Sequence, residues 1–275
     1  MKKIFTAIIA SLALVTLVGC GSKSSSGEGD KSLQKIKDKG ELVVALSPDY
    51  APFEFQMIKD GKNVVVGSDV DLANKIAEKI GVKVKIDTMD FSNVLASVSS
   101  GKADMAISGL TATSERRKAF DFSDEYYKTK NIVVIKKSNS DKYKTIADFK
   151  GAKVSAQKGS IQEDIVKNEI KDASLVSLPK SGAMINELKN GTVDAVVLDN
   201  MVAESYVAAN SDLEVIKDIT FKSDDEESNA IAMTKGSKTL QEEVNKIIAD
   251  LKKDDSLNKS VKDNYDLAKE AKQVE

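Results

Sequence analysis

From about Leu33 onward the chain alternates short apolar runs with segments whose apolar positions recur every three or four residues. That alternation predicts an α/β protein with largely parallel sheets. The run ELVVAL (41–46) is continuous enough to be a buried strand. In SDVDLANKIAEKIG, Leu72, Ile76 and Ile80 fall at four-residue spacing behind an Asp-rich start and Gly81 closes the pattern, which predicts an amphipathic helix. SKTLQEEVNKIIADLKK repeats the signal with Leu240, Val244, Ile247, Ile248 and Leu251 on one face. Two stretches also echo each other: VLASVSSGKADMAISG (94–109) and MINELKNGTVDAVVLD (184–199) align position by position, Gly101 with Gly191 and Asp104 with Asp194. Each copy predicts a helix, a Gly where it stops, and a strand with an Asp two or three residues in. The echo points to two related α/β lobes.

The N-terminus departs from this pattern. Lys2 and Lys3 precede an apolar stretch from Ile4 to Val18, the layout of a secretory signal and short for a membrane span, which needs about 20 residues. The single cysteine, Cys20, ends it, and LVGC resembles the lipobox of bacterial lipoproteins. The resemblance implies cleavage before Cys20 and a diacylglyceryl group on its sulfur; the other reading is a small core thiol. GSKSSSGEGDKS then reads as a flexible tether. Residues 1–19 are therefore expected to be a signal peptide and 20–33 the lipidated Cys and tether, with the body held outside the cell at a membrane surface.

Composition narrows the chemistry. Of 275 residues 41% are hydrophobic and 31% charged, enough for a sizeable core rather than a disordered chain. A net charge of −2 with scattered Lys gives no basic field for nucleic acid. The absence of His excludes His-based hydrolase triads and removes the commonest metal ligand. With no dinucleotide fingerprint, P-loop, metal-spaced cluster or calcium-hand loop, no cofactor and no metal are expected. SDDEES (223–228) reads as a solvated loop.

In open parallel sheets, ligands sit beyond the carboxyl ends of strands. Applied to the echo, this selects the loop SGLTATSERR (108–117) and the loop LDN (198–200). The first holds both arginines of a chain with 41 Lys and Arg together. Ser108 and Thr111 offer hydroxyls, Gly109 lets a ligand approach the backbone, and Thr113 or Ser114 can cap a short helix with Arg116 in its first turn. A first-turn cation opposes the helix dipole, so an anionic partner is called for, and a guanidinium grips a carboxylate through two parallel bonds. Surface pairing of Arg116 or Arg117 with Asp121, Asp124 or Glu125 is the alternative. Asp199 suits an ammonium group or a helix cap. Ser160 and Glu163 in QKGSIQED form a capping box that sets a helix N-terminus beside the same cleft. A carboxylate on one lobe and a guanidinium on the other would clamp a zwitterion.

SPDYAPFEF, VGSDVDLA, the run from Met89 to Tyr127, AQKGS and VDAVVLDN resemble the family 3 bacterial extracellular solute-binding proteins that serve amino-acid ABC transporters. The resemblance implies an α/β, type II periplasmic-binding-protein fold, with two lobes joined by two crossover strands and closing over one free amino acid. It implies lobe 1 at 34–127 and 228–270, lobe 2 at 128–227, and crossovers near Tyr126–Lys130 and Asp225–Asn229. Arg116 is then expected to grip the α-carboxylate, helped by Ser108, Gly109 and Thr111, while Asp199 takes the α-ammonium, Tyr50 covers the ligand, and Gln157 and Ile161 lie near it. Two positions depart from the pattern. Ser47 stands where several relatives carry Asp, and Ser68 where many have a stacking Phe, so Asp49, Glu54 or Asp90 is expected to supply negative charge to an altered side-chain pocket. Phe53 and Phe55 read as core-facing. The expectation is a monomeric, non-catalytic lipoprotein that delivers a polar or basic amino acid to an ABC permease. An enzyme using Glu54 as acid or base, or a sensor or adhesin, are the other readings.

Overall fold

The computed structural model describes residues 29–222 and 228–270. The expected signal peptide, Cys20 and residues 223–227 of the SDDEES run lie outside the described residues. Helix α1 (Ser32–Lys39) already begins inside the expected tether. Asp30 anchors it there, accepting from the Ser32 N–H at 2.8 Å and the Thr239 hydroxyl at 2.9 Å.

The chain continues through β1 (Glu41–Leu46), β2 (Asp49–Tyr50), β3 (Glu54–Lys59), β4 (Lys62–Val66), α2 (Ser68–Ile80), β5 (Lys83–Thr88), α3 (Phe91–Ser99), β6 (Met105–Ala106), α4 (Ser114–Ala119) and β7 (Phe120–Phe122). Strand β8 (Tyr127–Lys128) leads into β9 (Asn131–Lys136), β10 (Lys153–Gln157), α5 (Ile161–Asn168), β11 (Ser174–Leu178), α6 (Ser181–Asn190), β12 (Ala195–Asp199), α7 (Asn200–Ala209) and β13 (Leu213–Ile216). The return runs through β14 (Ser228–Asn229) to β15 (Ala232–Thr234), α8 (Lys238–Lys253) and α9 (Ser256–Glu270).

Two five-stranded sheets result, ordered β5-β1-β6-β15-β7 and β11-β10-β12-β9-β13. They correspond strand for strand, and the echo segments α3–β6 and α6–β12 occupy the same place in each. Both echo glycines have positive φ, +71° at Gly101 and +78° at Gly191. The echo aspartates stand one residue before their strands rather than inside them. From there Asp104 accepts the Val43 N–H of β1 at 2.8 Å and Asp194 the Lys153 N–H of β10 at 2.9 Å, each on the strand beside its own. A side chain inside the strand would stand perpendicular to the sheet and miss that donor.

Four strands in each sheet share a direction; β15 and β9 alone run against them. The reason is connectivity. The parallel strands end at the cleft, and β9 and β15 follow the crossovers β8 and β14, so each enters its sheet from the cleft and must run away from it. The crossovers pair antiparallel, Tyr127 with Asn229 and Lys128 with Ser228.

The predicted stripes are buried. Leu72, Ile76 and Ile80 of α2 and Leu240, Val244, Ile247, Ile248 and Leu251 of α8 share one cluster with Leu42 and Val44. A second core surrounds Val133, Val154 and Val197. A third joins the lobes: Tyr50 and Phe53 pack with Ile132, Leu198, Val202 and Val261. Phe53 and Phe55 both face the interior, as their alternation suggested.

Candidate functional site

The loops that follow β1, β6, β10 and β12 converge between the sheets. After β1, the Ser47 hydroxyl donates to Asp49 Oδ1 at 2.7 Å, and its N–H donates to Ser108 Oγ at 3.0 Å. After β6, the Ser108 hydroxyl donates to Glu54 Oε1 at 2.7 Å and the Gly109 N–H to Asp69 Oδ2 at 2.9 Å. These two donors therefore hold the loop in shape. Gly109 has φ +53°, and a Cβ there would lie 3.0 Å from two ring carbons of Tyr50. The Tyr50 ring thus rests on the Gly109 backbone. Its hydroxyl accepts the Asp199 N–H from the other lobe at 3.4 Å.

Thr113 caps α4, its Oγ1 accepting the Arg116 N–H at 3.1 Å. The Arg116 guanidinium donates to the Thr111 carbonyl at 2.9 Å and, across the cleft, to the Gly159 carbonyl at 3.2 Å. Because α4 is only six residues long, Arg116 also belongs to its last turn, where a cation is favourable. Arg117 turns the other way, donating to the Ala112 carbonyl at 2.9 Å with its guanidinium 5.6 Å from the Phe122 ring centre. Asp121, one of the expected surface partners, is held instead by Lys235 at 3.3 Å and Lys238 at 3.2 Å.

On the second lobe Asp199 ends β12 and caps α7, accepting the Met201 N–H at 2.9 Å. It is 4% exposed. Burial pushes its carboxyl up to about 7, against the opposing pull of the Met201 N–H and the Thr129 hydroxyl. Gln157 ends β10 and donates across the cleft to Asp49 Oδ2 at 3.1 Å. The Ser160 hydroxyl accepts the Glu163 N–H at 3.2 Å as expected. The reciprocal half of the box differs: Glu163 reaches the Gly159 N–H at 2.8 Å, because the Ser160 N–H already donates to the Gln157 carbonyl at 3.1 Å. Ile161 is half-buried at the start of α5, and Ser68 is buried at the start of α2 with its hydroxyl unpartnered among the described residues.

Asp49 was foreseen only as one of three sources of charge. Its half-buried side chain accepts from Ser47, Gln157 and the Ser181 N–H at the start of α6, the last at 2.6 Å. Burial raises its carboxyl above the usual range, opposed by those donors. A cavity of about 530 Å³ opens beside it, lined by Ser47, Asp49, Asp90, Lys180, Lys189 and Tyr206 among others. Arg116 and Asp199 do not line it. The contacts of Arg116 with Gly159 and of Asp49 with Gln157 lie between the lobes. Glu54 does not line it either: it is fully buried beneath Ser108, which removes it as a pocket charge and as an acid or base exposed to a substrate.

Sequence reasoning missed Asp69, which holds the Gly109 N–H and the Tyr126 hydroxyl, the latter at 2.8 Å. An Asp in a first helical turn reads as a dipole-compensating surface residue, so no local signal marks it as buried.

The sequence profile of the bacterial extracellular solute-binding proteins, family 3, matches residues 42–265. The arginine-binding extracellular protein ArtP of Bacillus subtilis is 33% identical over 263 residues, 94% of this chain and 96% of that one. Two crystal structures of amino-acid ABC transporter substrate-binding proteins from Streptococcus pneumoniae, both bound to L-arginine, are similar throughout. One, AbpA, superposes with a TM-score of 0.83 at 49% identity, covering 86% of this chain and 98% of that one. The other superposes with a TM-score of 0.84 at 44% identity, covering 88% and 99%. The match, the two linked α/β lobes and the loops meeting between them have one meaning: this chain belongs to the bacterial extracellular solute-binding proteins, family 3, and has their type II periplasmic-binding-protein fold.

Proposed function

We propose that this protein is the substrate-binding lipoprotein of an amino-acid ABC importer, anchored through Cys20, and that its ligand is L-arginine. One observation carries the reading: Arg116 and Asp199 stand on equivalent loops of opposed lobes, with Tyr50 touching both Gly109 and Asp199. The α-carboxylate is taken by Arg116 and Thr111. The α-ammonium is taken by Asp199 and the Gly109 carbonyl. Gln157 and Ile161 border the ligand from the second lobe, and Ser68 supplies no stacking ring.

Arginine is favoured over other polar amino acids for two reasons. The two pneumococcal proteins, at 49% and 44% identity, were crystallised with it. In addition, Ser47 donates to Asp49 at 2.7 Å, so a carboxylate lies next to the position where Ser47 departs from the acidic family pattern. A side chain passing Tyr50 toward Ser47 meets Asp49 and the cavity beside it. Lobe closure excludes water and strengthens each charge contact. The loaded protein is then handed to a membrane permease.

Thermal melting of the mature protein with each of the twenty amino acids tests this. L-arginine at about 100 times its dissociation constant adds roughly 2.7 kcal/mol of stability, and Asp49→Asn lowers arginine affinity more than glutamine affinity. A flat response to all twenty overturns the reading.

A further inference from the structure

Glu54 on β3 and Asp69 on α2 lie together beneath the loop that carries Ser108 and Gly109, both fully buried. What brings them together is Gly67. It precedes α2 with φ +133°, and a Cβ there would fall 2.0 Å from the Phe53 carbonyl oxygen and 2.8 Å from Glu54 Cα. Without a side chain at 67, the start of α2 abuts β3, and the Asp69 N–H donates to the Phe53 carbonyl at 2.8 Å.

The hydrogen bonds around the two carboxyls are complete but for one proton. Glu54 Oε1 accepts from Ser108, and Asp69 Oδ2 accepts from Gly109 and Tyr126. Glu54 Oε2 and Asp69 Oδ1 are buried with no donor among the described residues. Two carboxylates stripped of water repel strongly, and an orphaned buried acceptor is costly. A single proton between those two oxygens removes both problems.

We propose that Glu54 and Asp69 share one proton, carried by Glu54, and that this acid–carboxylate pair is the positioning element that sets Ser108 and Gly109 under the bound amino acid. The ligand part of this rests on the function proposed above; the shared proton does not. Burial, then the Asp69 charge, hold the Glu54 carboxyl well above its ordinary range. Burial lifts Asp69 only to about 6, because Gly109 and Tyr126 stabilise its anion. The titratable groups that face the pair are Asp49 and Tyr50 on β2, Asp71 on α2, Tyr126 before β8 and Asp199 on the far lobe, which add negative charge or none. Losing the proton leaves two adjacent charges under the loop, so ligand affinity falls as pH rises through that ionisation.

Two substitutions separate the roles. Glu54→Gln keeps an acceptor for Ser108 and supplies an N–H for Asp69, so the alkaline fall in L-arginine affinity disappears and any loss at neutral pH is smaller than that of Asp69→Asn. Asp69→Asn strips charge from the acceptor of Gly109 and Tyr126, and affinity drops at least about tenfold. Infrared spectra of the unliganded native protein at neutral pH should show a protonated carboxylic acid that is missing in Glu54→Gln. Equal losses in the two variants, or no protonated acid in the native spectrum, overturn the proposal. If the native protein binds no arginine, the functional reading fails and the infrared result alone decides the shared proton.

Discussion

Lowering the pH below 7 should weaken amino-acid capture by about tenfold per unit, and Asp199 is the reason. Its carboxyl is buried on the far lobe and sits at about 7. At pH 6 the neutral form outnumbers the carboxylate by about ten to one. An incoming α-ammonium is attracted only to the carboxylate, so binding must first remove that proton. The sign follows: a group raised above its ordinary value in the unliganded state and lowered by ligand gives full affinity above 7. Affinity is lost as pH falls from there toward the lower value of the complex. Calorimetry of L-arginine binding between pH 5 and 8, in two buffers of different ionisation enthalpy, measures both effects. Close to one proton should be released per ligand at pH 6 and little at pH 8. Asp199→Asn keeps a side chain able to cap α7 but removes the charge. It should flatten the pH profile above about 6, where Asp69 begins to take up its own proton, and cost about 1.5–3 kcal/mol of binding at pH 8, the range for a charge-assisted hydrogen bond. Constant native affinity across pH 5–8 with no proton release would refute this account of Asp199.

Other outcomes follow from the same geometry. Arg116→Lys loses the paired donors and should weaken binding by about tenfold or more. Arg117→Lys, whose native guanidinium lies over Phe122, should change affinity little, and calorimetry on both variants checks the order. Gly109→Ala pushes a methyl to 3.0 Å from the Tyr50 ring in a left-handed backbone, so ligand affinity should fall even where circular dichroism shows a folded protein. Ile248→Ala, at a fully buried position in the α8 stripe, should lower unfolding free energy by about 2–5 kcal/mol in urea titrations while leaving arginine affinity near native.

The architecture was legible wherever a period recorded which face is buried. ELVVAL became β1 residue for residue, and the apolar stripes of α2 and α8 face one core. The echo was legible because Gly101 with Gly191 and Asp104 with Asp194 do the same physical work in each lobe, ending a helix segment and tying the neighbouring parallel strand. The rule that ligands gather at strand carboxyl ends selected loops 108–117 and 198–200, whereas the cavity beside Asp49, lined by neither, left no mark in the pattern. Less legible was how each donor is used. Composition cannot reveal that the Ser108 hydroxyl and Gly109 N–H are already taken by Glu54 and Asp69, because those acids come from β3 and α2, far off in sequence. The reversal of β9 and β15 also escaped the pattern, since apolar runs carry no direction and only the crossovers supply it.

The central claim is that a zwitterion is held between a guanidinium on one lobe and a carboxylate on the other. Its most direct test is side-by-side calorimetric titration of L-arginine, its decarboxylated analogue and its deaminated analogue into the mature protein. The account predicts tight binding of L-arginine and losses of at least about tenfold for each analogue, since each lacks one of the two charges. Removal of the carboxylate should matter no longer once Arg116 is replaced, and removal of the ammonium no longer once Asp199 is replaced. Equal affinity for all three ligands would contradict the account.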